Sequence, residues 1–306
     1  MLLALRSLLL AVLIYTVCPA HTVADPTQFL RDIQILAADS LEGRLVGTQG
    51  SRKAQAYLTA RFAEIGLQAW QGRYEHLFTF THRDGRTIND ATNLLGFIEG
   101  TSSDSTFIVI TAHYDHLGKR NGAIYNGSDD NASGVAGLLE MAAWFSKHPP
   151  EVGILFAALD AEEGGLHGAK ALVNTLKPLH GRIRMNINLD MISVSEKGEL
   201  YAAGTYHYPF LKPILDELAK ESPVTLLLGH DRPDLKPGDD WTTASDHAAF
   251  HQAGIPFIYF GVEDHPWYHT PQDTFDKINA DFAYKAATTI RMAVERFSRA
   301  PFQSTK

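Results

Sequence analysis

The sequence predicts a single α/β domain built on a mixed, mainly parallel sheet flanked by helices. Two observations carry this expectation. Short, nearly continuous apolar runs recur at Phe107 to Ala112, Val152 to Leu159, Ile183 to Leu189 and Ile255 to Phe260, the pattern of strands buried on both faces. Segments with helical apolar spacing fall between or after them, and no repeat or Pro/Ser-rich linker divides the chain. With 306 residues, 45% hydrophobic and 20% charged, there is ample material for one large core.

Taken in order, the first residues stand apart. Arg6 precedes an apolar run from Leu8 to Val17, and small residues follow at Ala20 and Ala24, which is the layout of a secretory leader over residues 1–24. The run is about half of the ~20 residues a spanning helix needs. The expected protein is therefore exported, periplasmic or secreted, with one domain over residues 25–306 and no stable membrane insertion once the leader is removed. Cys18, the only cysteine, lies in that leader, so a metal in the mature chain must be held by His, Asp and Glu. Loss of residues 1–24 removes Arg6 and no acid, moving the formal charge from −8 to −9; that balance argues against a nucleic-acid partner.

Helical spacing is expected over Pro26 to Ala38 and Ser51 to Ile65, the second stopped by Gly66. Leu77 to Thr81 and Asn93 to Ile98 read as strands with a turn at Asp84-Gly85. Further helices are expected over Ala132 to Lys147, Leu166 to Leu176, Phe210 to Lys220 and Ala280 to Arg299. The irregular stretch Gly229 to Thr243, with Trp241, reads as a long loop bordering a cleft.

Polar clusters sit where the apolar runs end, the place where open α/β sheets bind ligands. His113 and Asp115 are two apart and point the same way in extended chain. Gly127-Ser128-Asp129-Asp130-Asn131 is a turn feeding a helix, where a carboxylate can bridge two cations or cap the helix. Asp160-Ala161-Glu162-Glu163 puts three acids after a wholly apolar strand; one neighbour can be a ligand while the other acts as a base, if cations neutralise the pair. Asp190 is flanked by apolar residues, a costly setting without a partner. His269 stands just before Pro271. Each cluster has an ordinary structural explanation on its own; their joint occurrence at successive strand ends points to a metal site, and an oxygen and imidazole donor set points to zinc, with cobalt or manganese as substitutes.

In this order the motifs resemble the co-catalytic dizinc aminopeptidase family, whose wider clan includes glutamate carboxypeptidase and the glutaminyl cyclases. The likeness begins at Leu36-Ala37-Ala38-Asp39-Ser40-Leu41-Glu42-Gly43-Arg44 with Gly47-Thr48 and runs to the His269 motif. It implies a zinc-exopeptidase-like fold and two zinc ions held by His113, Asp130, Glu163, Asp190 and His269, with Asp130 bridging. It further implies Glu162 as general base, Asp115 as the acid orienting His113, a cis peptide between Asp130 and Asn131, and Asp246, Tyr268 and Trp241 around the substrate cleft. Asn131 and Ala169 depart from residues that are often Asp and Ser. The implied reaction is hydrolysis of the N-terminal peptide bond of peptides with a free N-terminus, using a water held by the two ions.

Three other readings stand beside it. A single-zinc glutaminyl cyclase on the same scaffold draws on Trp267 near His269. A carboxypeptidase would need basic residues for a terminal carboxylate, for which Arg232 and Lys236 are the candidates. A non-catalytic binding protein would be expected to have lost ligands or the base, and this sequence keeps both.

Overall fold

A computed structural model describes residues 26–82, 84–236 and 238–301; the leader and Cys18 lie outside the described residues. The chain begins with helices α1 (Thr27–Leu36) and α2 (Gln49–Ile65). The side chain of Thr48 accepts the N–H of Ser51 to start α2, and Gly66, in the left-handed region, ends it. Strands β1 (Gln68–Ala69), β2 (Glu75–Thr81), β3 (Thr87–Ile98) and β4 (Phe107–His113) follow, and then a small hairpin of β5 (Gly118–Arg120) and β6 (Ala123–Tyr125). Next come α3 (Gly134–Lys147), β7 (Gly153–Leu159), α4 (His167–Leu176), β8 (Ile183–Leu189), β9 (Glu199–Ala203), α5 (Lys212–Ala219) and β10 (Thr225–Leu228). Helix α6 (His247–Gln252), β11 (Phe257–Gly261) and α7 (Ala280–Arg299) complete the described chain.

The main sheet runs β1-β3-β7-β4-β8-β11-β9-β10, with β2 also on β3. Its centre, β7-β4-β8-β11, is parallel, whereas β1, β2 and β7 meet β3 antiparallel and β9 meets β11 antiparallel. The expected mixed α/β sheet is what forms.

Alternation along the central strands explains their continuous apolar runs. Ile108, Ile110, Ile154 and Phe156 pack with α1, α2, α3 and α7 on one face, while Phe107, Val109, Leu155 and Ala157 pack with α4 and α6 on the other. Neither face sees water. Truncating a fully buried ring such as Phe156 to alanine is of the class that costs about 3–5 kcal/mol.

Six short elements, β1, β5, β6, β9, β10 and α6, were not anticipated; β3 begins at Thr87, before the expected Asn93, and several other boundaries shift by one or two residues. The consequence for function lies in the parallel centre: β4, β7, β8 and β11 all deliver their carboxyl ends to one edge of the sheet, and every acidic or imidazole cluster named above lies on the chain just beyond such an end or in the turn entering α3.

Candidate metal centre

His113 closes β4. Its Nε2 lies 3.3 Å from Asp190 Oδ1 and 3.4 Å from Asp130 Oδ1, so the ends of β4 and β8 and the turn before α3 converge on one point. A second group gathers on the other oxygen of Asp130. His269 Nε2 is 3.0 Å from Asp130 Oδ2 and 3.4 Å from Glu163 Oε2. His116 Nδ1 is 3.7 Å from Asp130 Oδ2 and 2.7 Å from Glu163 Oε1. Asp130 is thus shared between His113 with Asp190 and Glu163 with His116 and His269. Its peptide bond to Asn131 is cis.

The backbone around Asp130 is held from several sides. The Asp273 carboxylate, fully buried, accepts the N–H of Asp129 at 2.9 Å and of Asp130 at 3.1 Å. Asp129 in turn accepts from the N–H and hydroxyl of Ser193, both at 2.7 Å, and lies 3.0 Å from His265 Nε2. Asn131 donates to Leu189 O and accepts from Met191 N, gripping the backbone on either side of Asp190 without touching the carboxylate. Gly127 has φ +58, and a Cβ there would run into the Asp130 carbonyl and the His116 ring, so the turn requires glycine on both counts.

Asp115 faces the His113 imidazole with both its carbonyl and its carboxylate. His113 Nδ1 donates to the backbone carbonyl of Asp115 at 3.2 Å, with the carboxylate farther off at 3.6 Å. The carboxylate instead accepts the N–H of Glu162 at 3.0 Å. Asp160, the first of the three acids, takes no part in either group: its oxygens accept Thr92 N and Ala161 N and tie β3 to the end of β7.

Glu162, Glu163, Asp130, Asp190, His113 and His269 line a cleft of about 550 Å³ together with Trp241 and Tyr268. Tyr268 stacks on His269 at 3.9 Å and Trp241 on His230 at 3.7 Å. Gly238 of the long loop also reaches the cleft; Arg232 and Lys236 do not line it, and Arg232 is paired with Asp234. Asp246 is buried behind the cleft, where burial and the charges of Asp115 and Asp190 push its carboxyl up to about 8.

The electrostatics report an excess of buried negative charge. Burial, with Asp246, Asp190 and Glu163 nearby, holds the Glu162 carboxyl well above the usual carboxylate range. Glu163 is pushed up to about 7 by burial and by Asp115 and Asp190, and Asp130 is raised by burial and Glu163. Burial would lower His113, but Asp190 and Glu162 outweigh it and raise the imidazole well above its ordinary range. Orphaned atoms point the same way. Both ring nitrogens of His116, Glu163 Oε1, Asp115 Oδ2 and both Asp246 oxygens are buried without a hydrogen-bond partner. Although His116 Nδ1 and Glu163 Oε1 are close, they are not aligned as donor and acceptor. Unpaired buried carboxylates and imidazoles are costly unless a cation sits among them. Imidazole and carboxylate donors in two groups that share Asp130 are a chemical fit for zinc.

Of the residues singled out in the sequence, His113, Asp130, Glu163, Asp190 and His269 all come together. His116 was missed, although it stands beside the quoted His113 and Asp115, and so was Asp273.

The described residues contain no helix long and apolar enough to cross a membrane. The chain is 34% identical over 221 residues to aminopeptidase YwaD of Bacillus subtilis (strain 168), covering 68% of this chain and 45% of that protein. It is 28% identical over 210 residues to the alkaline phosphatase isozyme conversion protein of Escherichia coli (strain K12), covering 63% and 59%. The chain thus spans about half the length of these curated relatives. Among solved structures, the fold matches BSAP, a zinc aminopeptidase from Bacillus subtilis, with TM-score 0.71 at 19% identity over 92% of this chain and 97% of that one. Residues 93–294, more than half of the 306, match peptidase family M28. The chain belongs to peptidase family M28.

Proposed function

We propose that this protein is an exported zinc aminopeptidase that binds two zinc ions and removes the N-terminal residue from peptides. The observation that carries this reading is the division of six donors into two groups around one shared carboxylate, Asp130, beside a carboxylate, Glu162, that belongs to neither. His113 and Asp190 would hold one ion, Glu163 and His269 the other with His116 alongside, and Asp130 would serve both.

Zinc bound there would supply Lewis-acid polarisation of the scissile carbonyl and acidify a water. The remaining work falls to the protein. Glu162 takes the proton from the attacking water and returns it to the leaving amine, which needs a carboxyl whose affinity for protons is raised into the working range. Burial raises it in that direction. Asp115, through its bond to the Glu162 N–H, fixes where that base stands. Acids lining the cleft favour a substrate that presents a protonated α-amino group and disfavour one that presents a carboxylate.

A glutaminyl cyclase is the second reading. It draws on the fold's likeness to Porphyromonas gingivalis glutaminyl cyclase, TM-score 0.71 at 16% identity over 89% of this chain and 98% of that one. Trp267, the residue that speaks for it in the sequence, lines a neighbouring pocket of about 320 Å³ and not the 550 Å³ cleft. A panel of aminoacyl arylamides, assayed with chelator and after zinc readdition, with elemental analysis for bound zinc, tests the proposal. No cleavage by fully loaded protein, or release of pyroglutamate from N-terminal glutamine with one zinc per chain, would reject it. Export draws on the leader-like residues 1–24 and is checked by the N-terminus of the mature protein.

A further inference from the structure

The segment from Leu36 to Arg44 has no donor in either metal group and precedes the residues matched to the family, yet its last residue enters the floor of the centre. Arg44 is fully buried. Its guanidinium donates to four carbonyls on three separate segments: Leu36 O at 2.5 Å, Tyr114 O at 2.7 Å, Asn126 O at 2.5 Å and Gly127 O at 2.9 Å. Tyr114 lies between His113 and Asp115. Asn126 and Gly127 lead into the turn that carries Asp130. A single planar cation therefore spans the backbone of both donor-bearing loops.

The local chain is shaped to deliver that side chain. Glu42, Gly43 and Arg44 all have φ between 51 and 71, a run that residues other than glycine seldom adopt. Gly43 packs so closely on the hairpin that a Cβ would strike the carbonyls of Tyr125 and Gly118. Asn126 fastens the same seam, donating to Ala37 O and to the Asp39 carboxylate, both at 2.7 Å. Asp130, Asp273, Asp115 and Glu163 surround the guanidinium, and although burial lowers its pKa to about 10, it remains a cation at neutral pH.

We propose that Arg44 is a positioning residue for the metal centre: it fixes the loop carrying His113 and His116 against the turn carrying Asp130, so that the spacing of the two donor groups depends on it. The proposal rests on the two-zinc reading of the site. Outer residues that orient ligands typically govern metal affinity by about 10–100-fold, and Arg44 holds two ligand-bearing backbones at once.

The test uses the full chain in three variants. Arg44→Met removes the four bonds at similar length, Arg44→Lys keeps the charge and part of the bonding, and Arg61→Met breaks a buried ion pair with Asp32 away from the centre. Zinc affinity is measured by competition with a chromophoric chelator. The cobalt-loaded proteins are compared by visible absorption, and unfolding of the metal-free proteins is followed by denaturant. The expected result is at least a tenfold loss of zinc affinity and an altered cobalt spectrum in Arg44→Met, partial recovery in Arg44→Lys, and neither change in Arg61→Met despite its lower stability. If Arg44→Met does not fold, Asn126→Ala, which loosens the same seam, is read the same way. A parent that binds zinc while these variants keep its affinity and cobalt spectrum would overturn the proposal alone. A parent that binds no zinc would overturn the metal reading and the proposal with it.

Discussion

The Asp115 carboxylate accepts the backbone N–H of Glu162 at 3.0 Å, while the Asp115 carbonyl accepts the His113 imidazole at 3.2 Å. One residue therefore links the proposed base to a proposed ligand. Asp115→Ala is expected to lower kcat by roughly 10–100-fold with a smaller change in KM, and Asp115→Asn, which retains an acceptor, to lose less. Steady-state rates on an aminoacyl arylamide, with circular dichroism to confirm folding, make the comparison.

Glu162 lines the cleft among the proposed ligands but belongs to neither donor group. Glu162→Gln keeps the shape and removes the proton acceptor, so kcat should fall by about 10²–10⁴-fold with zinc content unchanged by elemental analysis. A variant that retained parental turnover would remove Glu162 from the mechanism.

Removing metal should cost stability as well as activity, because Asp130, Glu163 and Asp190 are then left to repel one another in a buried site. Chelated protein is expected to melt at a lower temperature and to recover both properties on zinc addition. For each site, free zinc at a hundred times its Kd should add about 2.7 kcal/mol. Calorimetry across a zinc titration reads this directly; a melting temperature indifferent to zinc would contradict it.

Away from the cleft, Glu140 on α3 has a buried oxygen without a hydrogen-bond partner. Burial, with Glu295 adding and Arg291 opposing, pushes its carboxyl up to about 7 from an unfolded value of 4.5. The native state thus binds the proton more tightly than the unfolded chain. The resulting contribution is complete below pH 4.5 and is lost as pH rises through 7. Glu140→Gln should match the parent near the acid end of that window and exceed it in stability at pH 8 by something on the order of 2–3 kcal/mol. Denaturant melts of both proteins at several pH values give the difference; equal stability at pH 8 would refute the assignment.

The central strands were legible because β4, β7, β8 and β11 are buried on both faces, and burial writes itself as an unbroken apolar run. β9, β10 and α6 are four to six residues long, too short to establish a period. Of the five donors expected from the resemblance, His113, Glu163 and Asp190 were visible as polar residues at the ends of such runs, Asp130 in the turn entering α3 and His269 in the segment after β11. His116 escaped because two-residue alternation was applied to residues 113–116, whereas β4 ends at His113 and the chain turns there, bringing the next histidine back toward Glu163. Three potential donors within four residues at a strand end was the available signal. Arg44 and Asp273 were given no roles, since the backbone groups of the metal-site loops on which they act lie 70 or more residues distant.

The order in which the donors leave the ribosome has a consequence for assembly. A nascent chain that has emerged through Asp190 possesses His113, His116, Asp130, Glu163 and Asp190, but the imidazole of His269 and the Asp273 carboxylate that braces Asp130 belong to a turn made much later. The completed centre thus waits for a turn made long after Asp190, and tight capture of metal would seal the earlier and later segments together only once both exist.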